Sequence, residues 1–200
     1  MSAPVFAAIG DSFTAGQDPE VRPWPEDVAG WLPSWQLVNL AEAGASSDVV
    51  VANQLEPAIS LRPALVSVIC GANDVLLTTR PDVGAFATNF SKILAKLRRE
   101  LPQTRVVTVT YPDVVQFMPL RPRSRARVEN GLRELNDAIG WLARRYDAAC
   151  LDFAGHPERG ERENFAEDGF HPSDVGHRKA ARAFALGLRD HFGIELEETA

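Results

Sequence analysis

The stretch VFAAIGDSFTAG, residues 5–16, decides the fold that this sequence predicts. Five apolar residues end abruptly at Gly10, a pattern typical of a short strand that is buried on both faces in a parallel sheet. Asp11 and Ser12 then follow the carboxyl end of that strand, where open α/β sheets bind their ligands. Two interpretations are open here: Ser12 is a nucleophile, or Asp11 and Ser12 only cap the next helix.

The remaining chain alternates between strand and helix patterns. Four further apolar segments predict strands, at residues 36–40, 64–70, 105–111 and 148–153. Amphipathic segments predict helices at about 24–32, 47–55, 81–100, 124–146 and 173–191. Five strands that alternate with helices indicate a three-layer α/β/α fold with a parallel sheet. Because no repeat or linker divides the sequence, we expect a single domain over residues 1–200.

The composition is that of an ordinary globular protein. The 200 residues are 45% hydrophobic and 24% charged, and a formal net charge of -6 argues against general nucleic-acid binding. No apolar run reaches the ~18 residues of a membrane span, and no signal-peptide pattern is present, so we expect a cytoplasmic protein.

The sequence gives no indication of a metal or another cofactor. Cys70 and Cys150 are the only cysteines, and both lie in apolar strand-like segments. We expect two buried, reduced thiols rather than a disulfide or a metal pair. No CxxC or HExxH spacing occurs anywhere. The predicted cofactor set is therefore empty.

A candidate general base lies just before the last predicted helix. A hydroxyl nucleophile needs a histidine to remove its proton, and that histidine works better when a carboxylate orients its other nitrogen. Asp168 and His171 are three residues apart, so one turn can bring both side chains together. By contrast, His177 and His191 fall within the helix and His156 lies in a polar loop. His171 is therefore the candidate base.

Candidate donors for a negatively charged oxygen follow three successive strands. Acyl transfer places negative charge on a carbonyl oxygen, which preorganised N–H groups stabilise. Ser12 and Gly44 offer backbone N–H groups, and Asn73 offers a side-chain amide. Each also has a simpler explanation, since Gly44 can be a turn glycine and Asn73 a helix N-cap. Their shared position after strands favours an oxyanion hole.

Four short motifs resemble, in order, the conserved blocks of the SGNH hydrolases, also called the GDSL-like esterase and lipase family. They are GDSFTAG (residues 10–16), NLAEAG (39–44), GAND (71–74) and DGFHP (168–172). Together they span nearly the whole chain. The first motif departs from the family pattern only in having GDSF where the family has GDSL.

The resemblance implies a fold and a set of roles. The implied fold is a flavodoxin-like five-stranded parallel sheet, the SGNH hydrolase fold. Ser12 would be the nucleophile, His171 the base and Asp168 the acid that orients it. Ser12, Gly44 and Asn73 would form the oxyanion hole. Asp11 is then left with a structural role, holding the turn that presents Ser12.

The function that these residues favour is that of a serine esterase. It would hydrolyse carboxylic esters of small or medium acyl groups through an acyl-enzyme, with a small-molecule ester as its partner. A carbohydrate O-deacetylase or an acyltransferase would use the same residues. A non-catalytic binding domain that keeps the fold is the alternative from another class. The sequence does not predict the oligomeric state.

Apolar residues near the motifs are candidates for contact with the substrate. They are Phe13, Val75, Phe117, Met118 and Phe170. For Val75, packing in the core is the competing explanation. The segment 112–122 is expected to be a mobile rim with exposed apolar side chains, because proline-rich loops rarely bury so many of them. Arginines at four positions of 121–127 either face solvent or bind an anionic substrate.

Overall fold

A computed structural model describes residues 3–197 and contains one five-stranded sheet. Its strands are β1 (Val5–Gly10), β2 (Gln36–Asn39), β3 (Leu65–Ile69), β4 (Arg105–Val109) and β5 (Ala149–Leu151). The strands lie in the order β2-β1-β3-β4-β5, and every neighbouring pair is parallel. The flavodoxin-like sheet implied by the sequence is confirmed. Because all strands run the same way, their carboxyl ends meet at one edge.

Helices cover both faces of the sheet. They are α1 (Ser12–Ala15), α2 (Trp24–Gly30), α3 (Ser47–Val49), α4 (Leu55–Ser60), α5 (Ala72–Leu76), α6 (Val83–Glu100), α7 (Pro122–Arg145) and α8 (Asp174–Phe192), with a π-helix at Val50–Gln54 and a 3₁₀ turn at Arg162–Asn164. Right-handed crossovers place α2 and α8 on one face and α4, α6 and α7 on the other. In agreement, α2 packs against α8 and α6 against α7. Among residues 3–197, no helix combines the length and apolar character that a membrane span requires.

The central strands explain why the opening stretch is so apolar. Residues 6–10 of β1 and all of β3 are buried, whereas the edge strands β2 and β5 are only partly covered. On the α2 and α8 face, Phe6 packs against Trp24, whose ring stacks on Phe184 at a centroid distance of 4.0 Å. Burial of this kind contributes about 25 cal/mol per Å² of apolar surface. The core thus holds β1 rigidly beneath the turn that follows it.

The helix after β2 continues further than the sequence predicts. The sequence predicts that this helix ends near residue 55, but helical structure runs over 47–60. The π-helix at Val50–Gln54 shifts the backbone hydrogen-bond register, and α4 starts afresh at Leu55. Pro57 is then the third residue of α4, and proline is tolerated in the first turn of an α-helix.

The loop between β4 and α7 is packed rather than exposed, so the expectation of a rim with exposed apolar residues is wrong. Val114 and Val115 are fully buried, and Phe117 and Met118 are half-buried. Arg125 makes this possible, because its guanidinium donates to the carbonyl oxygens of Val115 at 2.6 Å and of Met118 at 2.7 Å. Arg125 therefore stabilises this loop, which explains one of the four clustered arginines.

Candidate active site

The turn after β1 presents Ser12 in the first turn of α1. Asp11 is the N-cap of this helix, and its Oδ1 accepts a hydrogen bond from the backbone N–H of Phe13 at 3.0 Å. The Asp11 N–H donates to the Ile69 carbonyl at 3.1 Å, which ties the turn to the end of β3. Tyr111 Oη lies 3.4 Å from Asp11 Oδ2. Asp11 therefore holds the turn that presents Ser12, in keeping with its predicted structural role.

Asp11 is fully buried, and burial raises the pKa of its carboxyl to about 7; the hydrogen bonds from Phe13 and Tyr111 offset only part of this effect. Since its ordinary pKa is 3.8, the folded protein binds this proton more tightly than the unfolded chain does. The contribution of Asp11 to stability is thus fully present below about pH 4. It is lost as the pH rises to about 7.

We therefore expect Asp11 to make the protein less stable at pH 8 than at pH 5, by about 2–4 kcal/mol for this group. Asp11→Asn keeps an oxygen acceptor for the Phe13 N–H but cannot ionise, so it should reduce the difference. Thermal unfolding of the wild type and of Asp11→Asn at pH 5 and pH 8 measures this difference in stability. The control is Asp82→Asn, which changes the exposed N-cap of α6. An undiminished pH dependence in Asp11→Asn would contradict the expectation.

The structure brings the side chains of Ser12, Asp168 and His171 together. His171 Nε2 lies 3.1 Å from Ser12 Oγ, and His171 Nδ1 lies 2.6 Å from Asp168 Oδ2. The three-residue spacing lets the side chains of Asp168 and His171 meet, because Asp168 Oδ1 also accepts the backbone N–H groups of Phe170 at 2.8 Å and His171 at 3.0 Å. These bonds close a tight turn. One imidazole thus bridges a carboxylate and a hydroxyl that are far apart in the sequence.

The shifted pKa values of Asp168 and His177 indicate different roles for these two residues. Burial raises the pKa of Asp168, but the hydrogen bonds from His171 and Phe170 outweigh it and hold that pKa below its usual value. Asp168 is therefore a carboxylate at neutral pH. Burial lowers the pKa of His177 to about 4, and its Nδ1 accepts the Trp24 N–H at 3.4 Å. His177 belongs to the packing between α2 and α8.

The candidate oxyanion donors lie at the carboxyl ends of three adjacent strands. Gly44, in the loop after β2, has a φ of +81°, and no heavy atom lies within 4 Å of where a Cβ would be. Asn73, in α5 after β3, is 7% exposed and donates from Nδ2 to the Ala45 carbonyl at 2.9 Å. Asp74 accepts from both the N–H and the hydroxyl of Ser47 at 2.9 and 2.5 Å. These bonds fix α5 to the loop that carries Gly44.

The five candidate substrate contacts occupy different environments. Phe13 packs edge-on against Phe170 at a centroid distance of 5.1 Å, and the Phe170 ring lies 4.5 Å from the His171 ring. Phe13 also lines a mainly apolar cavity of about 130 Å³. Val75, in contrast, is fully buried in the core, because it packs where α7 has the small residue Gly131.

The other two candidates belong to the packed loop before α7. Phe117 is half-buried and packs against Phe165 at a centroid distance of 5.4 Å, with the Arg162 guanidinium over its ring. Met118 is half-buried, and its carbonyl is held by Arg125. Of the five candidates, Phe13 and Phe170 are those that lie against the His171 ring.

Sequence analysis missed two amide side chains that bind backbone at strand ends. Gln54 Oε1 accepts the Gly10 N–H at 2.7 Å, and Gln54 Nε2 donates to the Gly10 carbonyl at 3.0 Å. Asn136 binds the backbone of Tyr111 in the same way, with both distances 2.8 Å. The available signal was a polar residue on an apolar helix face, since Val50, Gln54 and Ala58 recur every four residues and all are buried.

No metal site is formed by the residues that the structure describes. Within 3–197, no group of three or more His, Cys, Asp or Glu side chains is arranged to hold a metal ion. Both cysteines are free thiols, and Cys70 is buried as expected. The expectation is wrong for Cys150, which is half-buried because β5 is an edge strand. The cluster at Ser12 brings together a hydroxyl, an imidazole and a carboxylate.

Several solved structures share this fold. A lipase/acylhydrolase from Enterococcus faecalis has a TM-score of 0.75 at 19% identity, over 98% of this chain and 99% of that one. A catalytic mutant of an acetylxylan esterase from Geobacillus stearothermophilus has a TM-score of 0.73 at 18% identity, over 96% and 95% of the two chains. An extracellular lipase from Streptomyces rimosus has a TM-score of 0.71 at 18% identity, over 92% and 100%. At these identities the likeness shows the fold alone.

Comparison with curated protein sequences finds no match. The family model described as the GDSL-like Lipase/Acylhydrolase family, however, matches residues 8–179. This range contains the turn with Ser12, the loops with Gly44 and Asn73, and the Asp168–His171 turn. The resemblance drawn from the four short motifs is confirmed. The chain therefore belongs to the GDSL-like lipase/acylhydrolase family.

Proposed function

We propose that the protein is a serine esterase that hydrolyses carboxylic esters of small or medium acyl groups. The observation that carries this proposal is the position of the His171 ring, 3.1 Å from Ser12 Oγ and 2.6 Å from Asp168 Oδ2. A nucleophile, a base and an orienting carboxylate within hydrogen-bond reach are the signature of nucleophilic acyl transfer. Family membership agrees with this chemistry.

In the acylation step, His171 Nε2 removes the Ser12 hydroxyl proton while Oγ attacks the ester carbonyl carbon. Asp168, already hydrogen-bonded to Nδ1, stabilises the imidazolium that forms. His171 then gives the proton to the departing alkoxide, which leaves as an alcohol while the acyl group stays on Ser12 Oγ as an ester. A water molecule that His171 deprotonates attacks this ester, and His171 returns the proton to Ser12 Oγ as the acid leaves. Each proton therefore passes through one nitrogen, Nε2.

The negative charge of the tetrahedral intermediate needs donors at the same edge of the sheet. In this proposal, the oxyanion accepts hydrogen bonds from the backbone N–H groups of Ser12 and Gly44 and from the amide of Asn73. Gly44 suits the role because open space surrounds it. Asn73 suits it because its amide has a second N–H besides the one that binds the Ala45 carbonyl.

The preference for small or medium acyl groups is part of the proposal, and a series of esters of increasing chain length tests it. The apolar cavity of about 130 Å³ that Phe13 lines is bordered by neither Ser12 nor His171, so its volume does not set that chain length. A second candidate, removal of O-acetyl groups from a carbohydrate, would use the same residues and is the kind of activity named for the acetylxylan esterase that shares this fold. Hydrolysis rates for p-nitrophenyl acetate, butyrate, octanoate and laurate, compared with acetate release from acetylated xylo-oligosaccharides, distinguish the two. Equal inactivity on every ester would contradict both.

Asn73→Ala is expected to lower kcat by about ten- to a thousandfold with little change in KM. The reason is that an oxyanion donor acts on charge that develops only in the transition state. Steady-state kinetics on p-nitrophenyl butyrate measures the split between kcat and KM. The matched control is Asn130→Ala, an exposed asparagine on α7, which should leave both constants unchanged. A rise in KM alone would instead place Asn73 in ground-state binding.

A further inference from the structure

The buried side chain of Gln54 holds the backbone at the point where β1 enters the active site. We propose that Gln54 is a positioning residue for the oxyanion hole, which fixes the Ser12 N–H relative to the Gly44 N–H. This inference rests on the proposed function, because it assigns a task within that same site. Gln54 does not touch the reacting atoms in this proposal. It acts through the backbone of Gly10.

The first step is the pair of hydrogen bonds between Gln54 and Gly10. Gln54 Oε1 accepts the Gly10 N–H at 2.7 Å, and Nε2 donates to the Gly10 carbonyl at 3.0 Å. Gln54 is 1% exposed, so water does not replace these bonds. Gly10 is the last residue of β1 and directly precedes Asp11 and Ser12. The amide thus determines the direction in which the chain leaves the sheet.

The second step is that the same carbonyl also fixes the loop after β2. The Glu42 N–H donates to the Gly10 carbonyl at 3.1 Å, two residues before Gly44. The Gly10 carbonyl is therefore shared by Gln54 and by the loop that carries the second proposed donor. If this carbonyl shifted, the segment that leads to Ser12 and the segment that leads to Gly44 would both be displaced. One side chain therefore controls the geometry between two donors.

The third step is that the backbone at Gly10 needs external support. Gly10 has a φ of +151°, which L side chains rarely adopt, and glycine has the largest conformational freedom of any residue. Without Gln54, the buried Gly10 N–H would lose its only partner among those described, and a buried unpaired donor is unfavourable. We expect the turn to relax away from this conformation when the amide is removed.

The helix that carries Gln54 has an unusual local structure at this position. Gln54 ends the π-helix at Val50–Gln54, where the Leu55 N–H bonds to the Val50 carbonyl five residues earlier. Single π-helical turns within α-helices are frequent at functional sites. Here the wider turn brings a polar side chain onto the face that packs on β1. The π-helix therefore has a specific consequence, which is the amide bond pair to Gly10.

Two substitutions test the assignment. Gln54→Met keeps the side-chain length but removes both hydrogen bonds, and we expect kcat to fall by about ten- to a hundredfold with KM within about twofold, since small displacements of catalytic groups have effects of this size. Ala58→Gly is the control for stability, because it weakens the same helical segment and leaves both Gln54 bonds to Gly10 in place. It should lower Tm and leave kcat unchanged at temperatures where the protein is folded.

Gln54→Glu gives a signature that a purely structural role would not give. A protonated glutamic acid can accept the Gly10 N–H and donate its O–H to the Gly10 carbonyl, whereas the carboxylate can only accept. Burial favours the protonated form. We expect kcat of Gln54→Glu, divided by that of the wild type, to fall at least about tenfold between pH 5.5 and 8. If Gln54→Met does not fold, the pH dependence of the Gln54→Glu ratio tests the inference on its own.

Steady-state hydrolysis of p-nitrophenyl butyrate by the three variants, the wild type and Ser12→Ala separates the outcomes. A drop in kcat for Gln54→Met, with the falling pH ratio for Gln54→Glu, supports the inference. Wild-type kcat in both Gln54 variants at every pH, while Ser12→Ala is inactive, overturns this inference alone. A loss of activity that Ala58→Gly reproduces at the same Tm also overturns it. Full activity in Ser12→Ala overturns the proposed function, and this inference with it.

Discussion

Ser12→Ala is expected to lower hydrolysis of p-nitrophenyl acetate and butyrate by about 10⁴-fold or more in kcat. Removing the nucleophile of a serine hydrolase leaves only the contributions of substrate binding and the oxyanion hole, which is why losses are this large. In this protein the hydroxyl lies 3.1 Å from His171 Nε2, and alanine offers no atom to which that nitrogen can bond. KM should change much less, because the Ser12 backbone N–H remains.

The matched control is Ser60→Ala, an exposed serine whose hydroxyl bonds only to the Glu56 carbonyl of its own helix among the described contacts. Its rates should equal those of the wild type. A fluorophosphonate provides a second measurement, since it should form a covalent adduct on Ser12 that mass spectrometry can locate. Equal hydrolysis by Ser12→Ala and the wild type, or an adduct on another residue, would contradict the nucleophile assignment.

The sheet and the residues around Ser12 follow from local patterns that a sequence displays directly. A strand buried on both faces is mostly apolar, so β1 and β3 are recognisable from residues 5–9 and 64–70 alone, although Ser67 interrupts the second run. Parallel strands bring their carboxyl ends to one edge, so polar residues after successive strands are predicted neighbours. The Asp168 and His171 pair depends on a three-residue turn, which is also a local feature.

Features that depend on packing between distant segments were not predictable in this way. The loop 112–122 has the composition of an exposed segment, yet Val114 and Val115 are buried because Arg125, ten residues beyond Val115, binds the carbonyls of the loop. Gln54 is similar: the sequence shows a polar residue on an apolar helix face, but it shows neither the π-helical turn nor the bonds to Gly10. In both cases a polar side chain binds backbone groups, and composition alone does not show where its partners lie.

The position of Val75 could not be predicted from the sequence for a different reason. It follows a candidate oxyanion residue closely, which made it a candidate for contact with substrate as well as for the core. The space against Gly131 of α7 determines its place, because a side chain at position 131 would come within 2.7 Å of a Val75 methyl carbon. Residues 75 and 131 thus form one small-to-large packing pair between α5 and α7. Proximity along the chain did not place Val75 in the site.

Gly10→Ala is expected to destabilise the fold by about 3–5 kcal/mol or to prevent folding, the second large effect that the structure predicts. A Cβ on Gly10 would lie 1.9 Å from the Ile69 carbonyl oxygen, which is a backbone atom of β3 that cannot turn aside. The φ of +151° adds backbone strain for any other residue. The Asp11 N–H also bonds to this carbonyl, so a displacement would break the contact between the turn and β3.

Urea unfolding followed by circular dichroism measures the change, with the slope of the transition checked against the wild type. The matched control is Gly140→Ala on α7, where the nearest atom to a new Cβ is the end of the flexible Arg144 side chain at 3.6 Å. That substitution should stabilise the protein by up to about 1 kcal/mol, because glycine is unfavourable within helices. If Gly10→Ala and Gly140→Ala shift the midpoint alike, the close approach of β1 and β3 at Gly10 is not what fixes the turn. If only Gly10→Ala unfolds early, the close approach of β1 to the Ile69 carbonyl requires glycine at the end of the first strand.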